Sequence, residues 1–451
     1  MKRPLAWTLV IFLLGCVAWS GRFLLDHDWE WGRQRSLLVL LLGLAAVVAR
    51  SPAGRLRLRA WPLLVLLWAL ALGLFASTLA TGVRSVARSL RTGEILLDQG
   101  QNTLRAARLL RRGESPYARW QLLDLEAWYT RAPQRAAAGL RPAPGVDERP
   151  LLARWWSTLD PALRLALLPP GDSPLARAEG ALYGYKYGPL LPLVTAPAQA
   201  LVGPGAVMLL QLALYLAWLC LLLFGLRTAN VEPGALPLAL IALLLEPTAA
   251  QNYLEASASD VWVLAASAGA ALAFLCRRPV LLGSFVAAAL ACKAFPAALL
   301  LPLLWVRPSR AGLLALAAGL AAAFGPFALW DFGGLAGNLL RWPSQMATDN
   351  TGWAWYATPA VHGAARLLLF AALLALSAWF VQRQRAAGAR AEAPYGFLAL
   401  GGALSICAGA AFHNNYAPWV TAPAVCAIAV AFFGGAPESA SAQVPSASTN
   451  K

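Results

Sequence analysis

The chain has 451 residues, 59% of them apolar and 13% charged, and its 37 basic against 21 acidic side chains leave a formal charge of +16. Soluble proteins carry about 25% charged residues, so this chain lacks the polar residues to cover soluble domains, and its recurring apolar runs exclude both a soluble multidomain enzyme and a disordered chain. The basic residues other than Lys2, Lys186, Lys293 and Lys451 are arginines, and no basic helix or aromatic platform stands in a soluble segment, so the charge points to membrane phosphates and cytoplasmic anchoring, not to nucleic acid.

The N-terminus, Met1-Lys2-Arg3 before an apolar run, has the start of a signal peptide, and Leu13-Leu14-Gly15-Cys16 resembles a lipoprotein cleavage box. The sequence stays apolar through Leu25 and more spans follow, so an uncleaved first helix is expected. Apolar runs predict spans over 5–25, 36–49, 61–83, 188–202, 206–226, 235–249, 260–276, 280–306, 311–330, 361–381, 394–412 and 417–434. The 280–306 run contains Lys293 and Pro296, and reads as one kinked helix or two short ones. Residues 1–60 thus form two N-terminal spans, 61–434 a transmembrane catalytic unit, and the Ser/Ala/Pro-rich 435–451 a disordered cytoplasmic tail. The six cysteines lie in or beside apolar runs without metal or disulfide spacing and read as small core residues.

Loop charge sets the expected orientation. Short basic loops with Arg50, Arg55, Arg57 and Arg59, with Arg307 and Arg310, and with Arg383, Arg385 and Arg390 belong in the cytoplasm. The segments 84–187 and 331–360 and the turn at His413 then lie outside. Arg277 and Arg278 conflict with a count of twelve spans, a conflict that disappears if 280–306 is a hairpin and 188–202 is re-entrant. The 84–187 segment carries sixteen basic and ten acidic residues. Leu96, Leu97, Leu104, Ala107, Leu109 and Leu110 at helical spacing, interleaved with Arg105, Arg108, Arg111 and Arg112, predict an amphipathic interfacial helix. Similar patterns run near Trp120–Trp128 and Trp155–Leu168.

Ionisable residues at membrane depth are functional candidates. Asp98 is either a helix-start acid or a general base just outside the membrane. Gly113-Glu114-Ser115-Pro116-Tyr117 reads as a helix stop and turn, and Tyr185-Lys186-Tyr187-Gly188-Pro189 as an aromatic belt with a snorkelling lysine. Glu246, Gln251, Asn252, Glu255 and Asp260 hold more acids than a connecting turn needs. Lys293 is either a snorkelling lysine or an anion-binding cation, and His413-Asn414-Asn415 falls in an outer turn; His27 and His362 have weaker contexts.

In this order the features resemble the polyprenyl-phosphate-sugar-dependent glycosyltransferases of the GT-C superfamily, most closely glycosyltransferase family 87, a group that includes a mannosyltransferase of phosphatidylinositol mannoside synthesis. The resemblance rests on Asp98, on Gly113 to Tyr117, on Tyr185 to Pro189, on Ala250-Gln251-Asn252, on Lys293 to Pro296 and on His413, and covers roughly residues 60–434. The chain departs from the family pattern in its two extra N-terminal spans, in Gly188 before the proline, in the missing glycine before Gln251 and in a longer outer loop.

The resemblance implies an all-α polytopic membrane protein, a GT-C-like bundle of about twelve transmembrane helices with a long extracytoplasmic first loop containing amphipathic helices. It implies a plasma- or inner-membrane enzyme, active on its extracytoplasmic side, that moves a hexose, mannose favoured, from a polyprenyl-phosphate sugar to a glycolipid or polysaccharide acceptor. Asp98 would be the general base; Lys293, His413, Arg105 and Lys186 would hold the donor phosphate; Tyr117, Tyr185, Gln251, Asn252, Glu255 and Asn414 would contact substrate. No cofactor and no metal is implied, and no nucleotide-binding fingerprint is present. Two other classes compete: a transporter or flippase of a lipid-linked sugar, for which matching broken helices in two halves would be needed, and a non-catalytic assembly subunit.

Overall fold

The structure is a computed structural model that describes residues 61–93, 95, 98–117, 185, 187–246, 249–293, 300–341, 359–388, 390–408 and 418–434. The two N-terminal spans, the amphipathic patterns near 120–128 and 155–168, and the tail 435–451 lie outside the described residues.

The described chain is helical, without strands, and three of its helical stretches are long and apolar enough to cross a membrane by length and composition: Leu64–Thr92, Leu190–Thr228 and Arg310–Leu339. In chain order α1 is Trp61–Thr92, α2 Asp98–Arg111, α3 Leu190–Val202 and α4 Ala206–Thr228. Next come α5 Leu236–Leu244, a π-helical turn Ala250–Glu255, α6 Asp260–Leu275 and α7 Pro279–Cys292. Then α8 Leu301–Val306, α9 Arg310–Ala336, α10 Pro359–Ala386, α11 Ala393–Ala408 and α12 Pro418–Phe433 complete the chain. Proline opens α7, α10 and α12, where its missing N–H has no helical partner to lose.

The core is built around α6, buried along its whole length except Leu272 and Leu275. It packs between α4 and α7, and α7 packs in turn on α9. Small residues set the closeness of these contacts. A side chain on Gly283 would run into the Gly312 backbone, and one on Gly312 would come 2.9 Å from the Pro279 carbonyl oxygen. The backbones of α7 and α9 therefore touch, the small-residue mode of helix packing in membranes.

Neighbouring contacts sort the helix ends into two groups. Leu275 of α6 reaches Gly225 of α4, Arg307 donates to the Phe274 carbonyl, Glu232 N–H donates to the Phe433 carbonyl, and Tyr395 packs against Gly225. This end collects Arg227, Arg277, Arg278, Arg307, Arg310, Arg383, Arg385 and Arg390 against Glu232 and Glu392. At the opposite end Gln211 of α4 meets Ser257, Lys293 meets Asp260, and Gly205 packs on Leu90 of α1.

Arg277 and Arg278 lie at the same end as Arg307. Helix α7 climbs from Arg278 to Cys292, and the chain is back at the arginine end by Arg307, so 280–306 is a hairpin. Helix α3 does not cross. Its start is tied beside Cys292 by the Gly188 N–H to Cys292 carbonyl bond, and its end, at Gly203-Pro204-Gly205, lies against Leu90 and Gly93. Both termini sit at the end opposite the arginines, as a re-entrant 188–202 requires.

Three boundaries differ from the expectation. Helix α1 runs to Thr92, nine residues beyond the apolar run, because Arg84, Arg88 and Arg91 extend it as a helix with a polar surface. The 235–249 run ends at Leu244, and Glu246 caps a new helical start by accepting the Ala249 N–H at 2.6 Å. Helix α9 continues past 330 because Asp331 breaks it (φ −153°, ψ 70°) and caps the continuation, its Oδ1 accepting the Gly334 N–H at 2.9 Å.

Candidate functional site

The end opposite the arginines gathers chain segments far apart in sequence. The backbone of Asp98 opens α2, and an acid at a helix start is favoured by the dipole. One residue on, the Gln99 side-chain oxygen accepts from both the Ser259 N–H (2.8 Å) and the Ser259 hydroxyl (2.9 Å). A side chain on Gly100 would collide with Ser257, so the first turn of α2 sits directly on the 257–260 turn. The predicted amphipathic helix is present as α2, with Leu104, Ala107 and Leu109 buried and Arg108, Arg111 and Arg112 exposed.

The 251–260 segment is a tight, polar structure. The π-helical turn ends with Ala256 N–H on the Gln251 carbonyl and Ala258 N–H on the Asn252 carbonyl. Ser257 is fully buried in the left-handed region (φ 69°), a conformation costing about 1 kcal/mol or more for a side-chain-bearing residue. The Gln211 amide holds it by donating to the Ser257 carbonyl at 3.2 Å, and the Ser257 hydroxyl oxygen is buried without a partner. Such strain clusters at functional sites.

Asp260 begins α6 with no solvent exposure, and its Oδ1 accepts from Lys293 Nζ at 2.8 Å. The lysine side chain is 18% exposed, and its Nζ lies 5.9 Å from the Tyr187 ring centre and 5.4 Å from that of Trp419, two cation–π contacts. The anion-binding cation expected from sequence thus has a resident carboxylate. Trp419 also lines an apolar cleft between α4, α6, α11 and α12, together with Trp218, Leu222, Val263, Leu264, Phe397 and Pro423 among others.

The tyrosine turns fasten these parts together. Helix α2 ends at Gly113 (φ 75°), with Glu114 N–H on the Leu109 carbonyl and Gly113 N–H on the Leu110 carbonyl, the paired bonds of a Schellman motif. The chain then reaches Tyr117, whose hydroxyl donates to the Tyr187 carbonyl at 2.8 Å, while Tyr185 N–H donates to the Pro116 carbonyl. Tyr117, Tyr185 and Tyr187 form a ring cluster with centroids 5.6–5.7 Å apart. Burial pushes the Tyr117 and Tyr185 hydroxyls well above the ordinary tyrosine range. Asn338 donates to the Tyr117 carbonyl at 2.9 Å, and Ser115 donates to Asp331 Oδ2 at 3.1 Å.

The expected site residues therefore fall into three groups. Asp98, Gln251, Asn252, Glu255 and Lys293 belong to segments that meet at this end; Gln251 and Glu255 are half-buried, and Asn252 is buried. Arg105 is half-buried on α2. Tyr117 and Tyr185 are buried, and their hydroxyls face Tyr187 and Thr103, so their place here is in fastening the turns. Lys186, His413 and Asn414 lie outside the described residues. Sequence reading passed over Gln99, Ser257, Ser259, Asp331 and Asn338; an interruption such as Asp331-Phe332-Gly333-Gly334 at the end of an apolar run was the available signal. Among the described residues no three His, Cys, Asp or Glu side chains converge on one point. Compared with known protein families, curated proteins and solved structures, the chain matches none.

Proposed function

We propose that the chain is a multi-pass membrane glycosyltransferase of the GT-C type, with its arginine end in the cytoplasm and its site on the extracytoplasmic side. The observation that carries this reading is the Lys293–Asp260 pair against the ring of Trp419, a residue that also lines an apolar cleft. A cation beside an apolar slot suits an amphiphile with an anionic head and a hydrocarbon chain, the chemistry of a polyprenyl-phosphate sugar. The acceptor hydroxyl attacks the anomeric carbon, Asp98 takes its proton, and the polyprenyl phosphate departs toward Lys293, with Arg105, Lys186 and His413 as further donors. The bonds from Ser259 to Gln99, the residue after Asp98, bring the start of α2 to the 257–260 turn and support this assignment, because base and leaving-group cation must flank one substrate.

Purified protein in nanodiscs, given polyprenyl-phosphate hexoses and a membrane lipid extract, is expected to transfer sugar. Asp98→Asn is expected to lower transfer by about 10²-fold or more while leaving the protein folded. Absence of transfer from every polyprenyl-phosphate hexose overturns the reading. Movement of lipid-linked sugar across the bilayer that persists in Asp98→Asn identifies a flippase instead.

A further inference from the structure

The arginines of α1 stand outside the site and carry a second inference, independent of the transferase reading. Arg84, Arg88 and Arg91 recur at four- and three-residue spacing, so at about 100° per residue they share one narrow face. The same face runs down the helix through Ala80, Ser77, Gly73, Leu70 and Leu66, which are all exposed; Leu66 keeps 63% of its surface and Leu70 50%. A side chain built on Gly73 would meet nothing within 4 Å. The opposite face is the packed one, with Ala71 and Ser89 fully buried and Gly82 against Leu212 and Leu254. Leu66 lies directly below Arg84, and Leu70 below Arg88, each by five turns or about 27 Å, close to the roughly 30 Å of a bilayer's hydrocarbon core.

The guanidiniums are sparingly engaged. Arg84 donates to the Thr81 hydroxyl and Arg91 to the Ala87 carbonyl, both at 3.2 Å, and the Arg88 Nε is buried with no acceptor. Among the described residues no carboxylate pairs with any of the three. Each guanidinium has five N–H donors; Arg84 and Arg91 are exposed and Arg88 is half-buried, so donors remain open above an exposed stripe about one hydrocarbon thickness long.

We propose that Arg84, Arg88 and Arg91 form a binding surface for the phosphate headgroups of anionic phospholipids in the leaflet around the site end. The placement of three cations with no carboxylate partner among the described residues, about one hydrocarbon thickness above the exposed foot of the same helix face, selects a membrane lipid as the occupant.

The full chain with Ala80 replaced by photoreactive benzoylphenylalanine, one turn below Arg84, is reconstituted in nanodiscs of equal parts phosphatidylglycerol and phosphatidylcholine. Crosslinking is expected to favour phosphatidylglycerol by about fivefold or more. The preference is expected to fall to near one in R84Q/R88Q/R91Q and to persist in R84K/R88K/R91K, which keeps the charge. Should the glutamine triple variant fail to fold, the single variant R84Q, altering the exposed arginine nearest the photoreactive group, is expected to lower the ratio by itself. Equal crosslinking to the two lipids in the parent protein, an unchanged ratio in the glutamine variants, or crosslinking to protein in place of lipid overturns the proposal.

Discussion

At the scale of single residues, the site end is organised by charges and hydrogen bonds that cannot be removed one at a time. Lys293→Met strands the fully buried Asp260 carboxylate, and unpairing a buried ion pair costs about 3–5 kcal/mol. Asp260→Asn and Lys293→Met are each expected to lower the unfolding temperature in detergent, and the double variant to recover most of the loss; a double-variant loss equal to the sum of the two single losses would show that the pair is not coupled. Gln99→Leu leaves the Ser259 N–H and hydroxyl without their acceptor, at a cost of about 1–3 kcal/mol. It is also expected to reduce sugar transfer more than it reduces stability, since it frees the turn that carries Asp98. Alkaline pH acts through the tyrosines. Burial holds their hydroxyls protonated in the fold, while unfolded tyrosine ionises near about pH 10. The stabilisation is therefore full below that pH and is lost as pH rises above it. A Tyr185→Phe variant is expected to lose less stability between neutral pH and pH above about 10 than the parent, measured by thermal unfolding.

At the scale of elements, close backbone contact and irregular helix ends set the architecture. Replacing Gly283 by leucine drives a side chain into the Gly312 backbone, where neither helix has a flexible group to yield. Overpacking of this kind costs about 1–3 kcal/mol, and Gly283→Leu is expected to give poorly folded, aggregating material on size-exclusion chromatography. The end of α6 points the other way. Arg277 occupies the left-handed position of a Schellman motif (φ 56°), with its N–H on the Phe274 carbonyl and the Arg278 N–H on that of Ala273. Burial first, and then the Arg277 charge, lower the Arg307 pKa. Arg277→Gly removes both the left-handed strain and the repulsion, and is expected to stabilise the fold by about 0.5–1 kcal/mol, read as a raised unfolding temperature.

For the whole molecule, the two ends divide the chemistry. Among the described residues the acids Asp98, Glu114, Glu246, Glu255, Asp260 and Asp331 collect at the site end with Lys293 and the arginines of α1 and α2, whereas the other end sets eight arginines against Glu232 and Glu392. In a cysteine-free background, Gly388→Cys is expected to react with an impermeant thiol reagent only from the cytoplasmic face, and Gly113→Cys only from the opposite one. Labelling of both from one face would overturn the proposed orientation. Much of this division was readable in the sequence, because apolar run length reports helices and arginine in short loops reports a shared end. Arg277 and Arg278 show the limit: with every run counted as a crossing, they fell on the wrong side. Periodicity does not reveal that α3 turns back or that 280–306 folds at Lys293, since both depend on long-range contacts such as that between Gly188 and Cys292. Candidate site segments were legible as polar interruptions in apolar runs, whereas Gln99 and Ser259 were not, being ordinary residues until the fold joins them across 160 positions.

The helices carrying the Lys293–Asp260 pair are short. Helix α6 has 16 residues and α7 has 14, which at 1.5 Å per residue makes them about 24 and 21 Å long, less than the roughly 30 Å of a hydrocarbon core. In the proposed membrane orientation, with the arginine end at one surface, they would stop several ångströms short of the other, which would set the pair in a well sunk into the bilayer. The depth of that well is set by the surrounding lipid as much as by the protein. Reconstitution in short-chain lipids makes it shallow, and long-chain lipids deepen it until water no longer reaches the lysine. In the proposed transferase, host-membrane thickness would then bear on which acceptors reach the site.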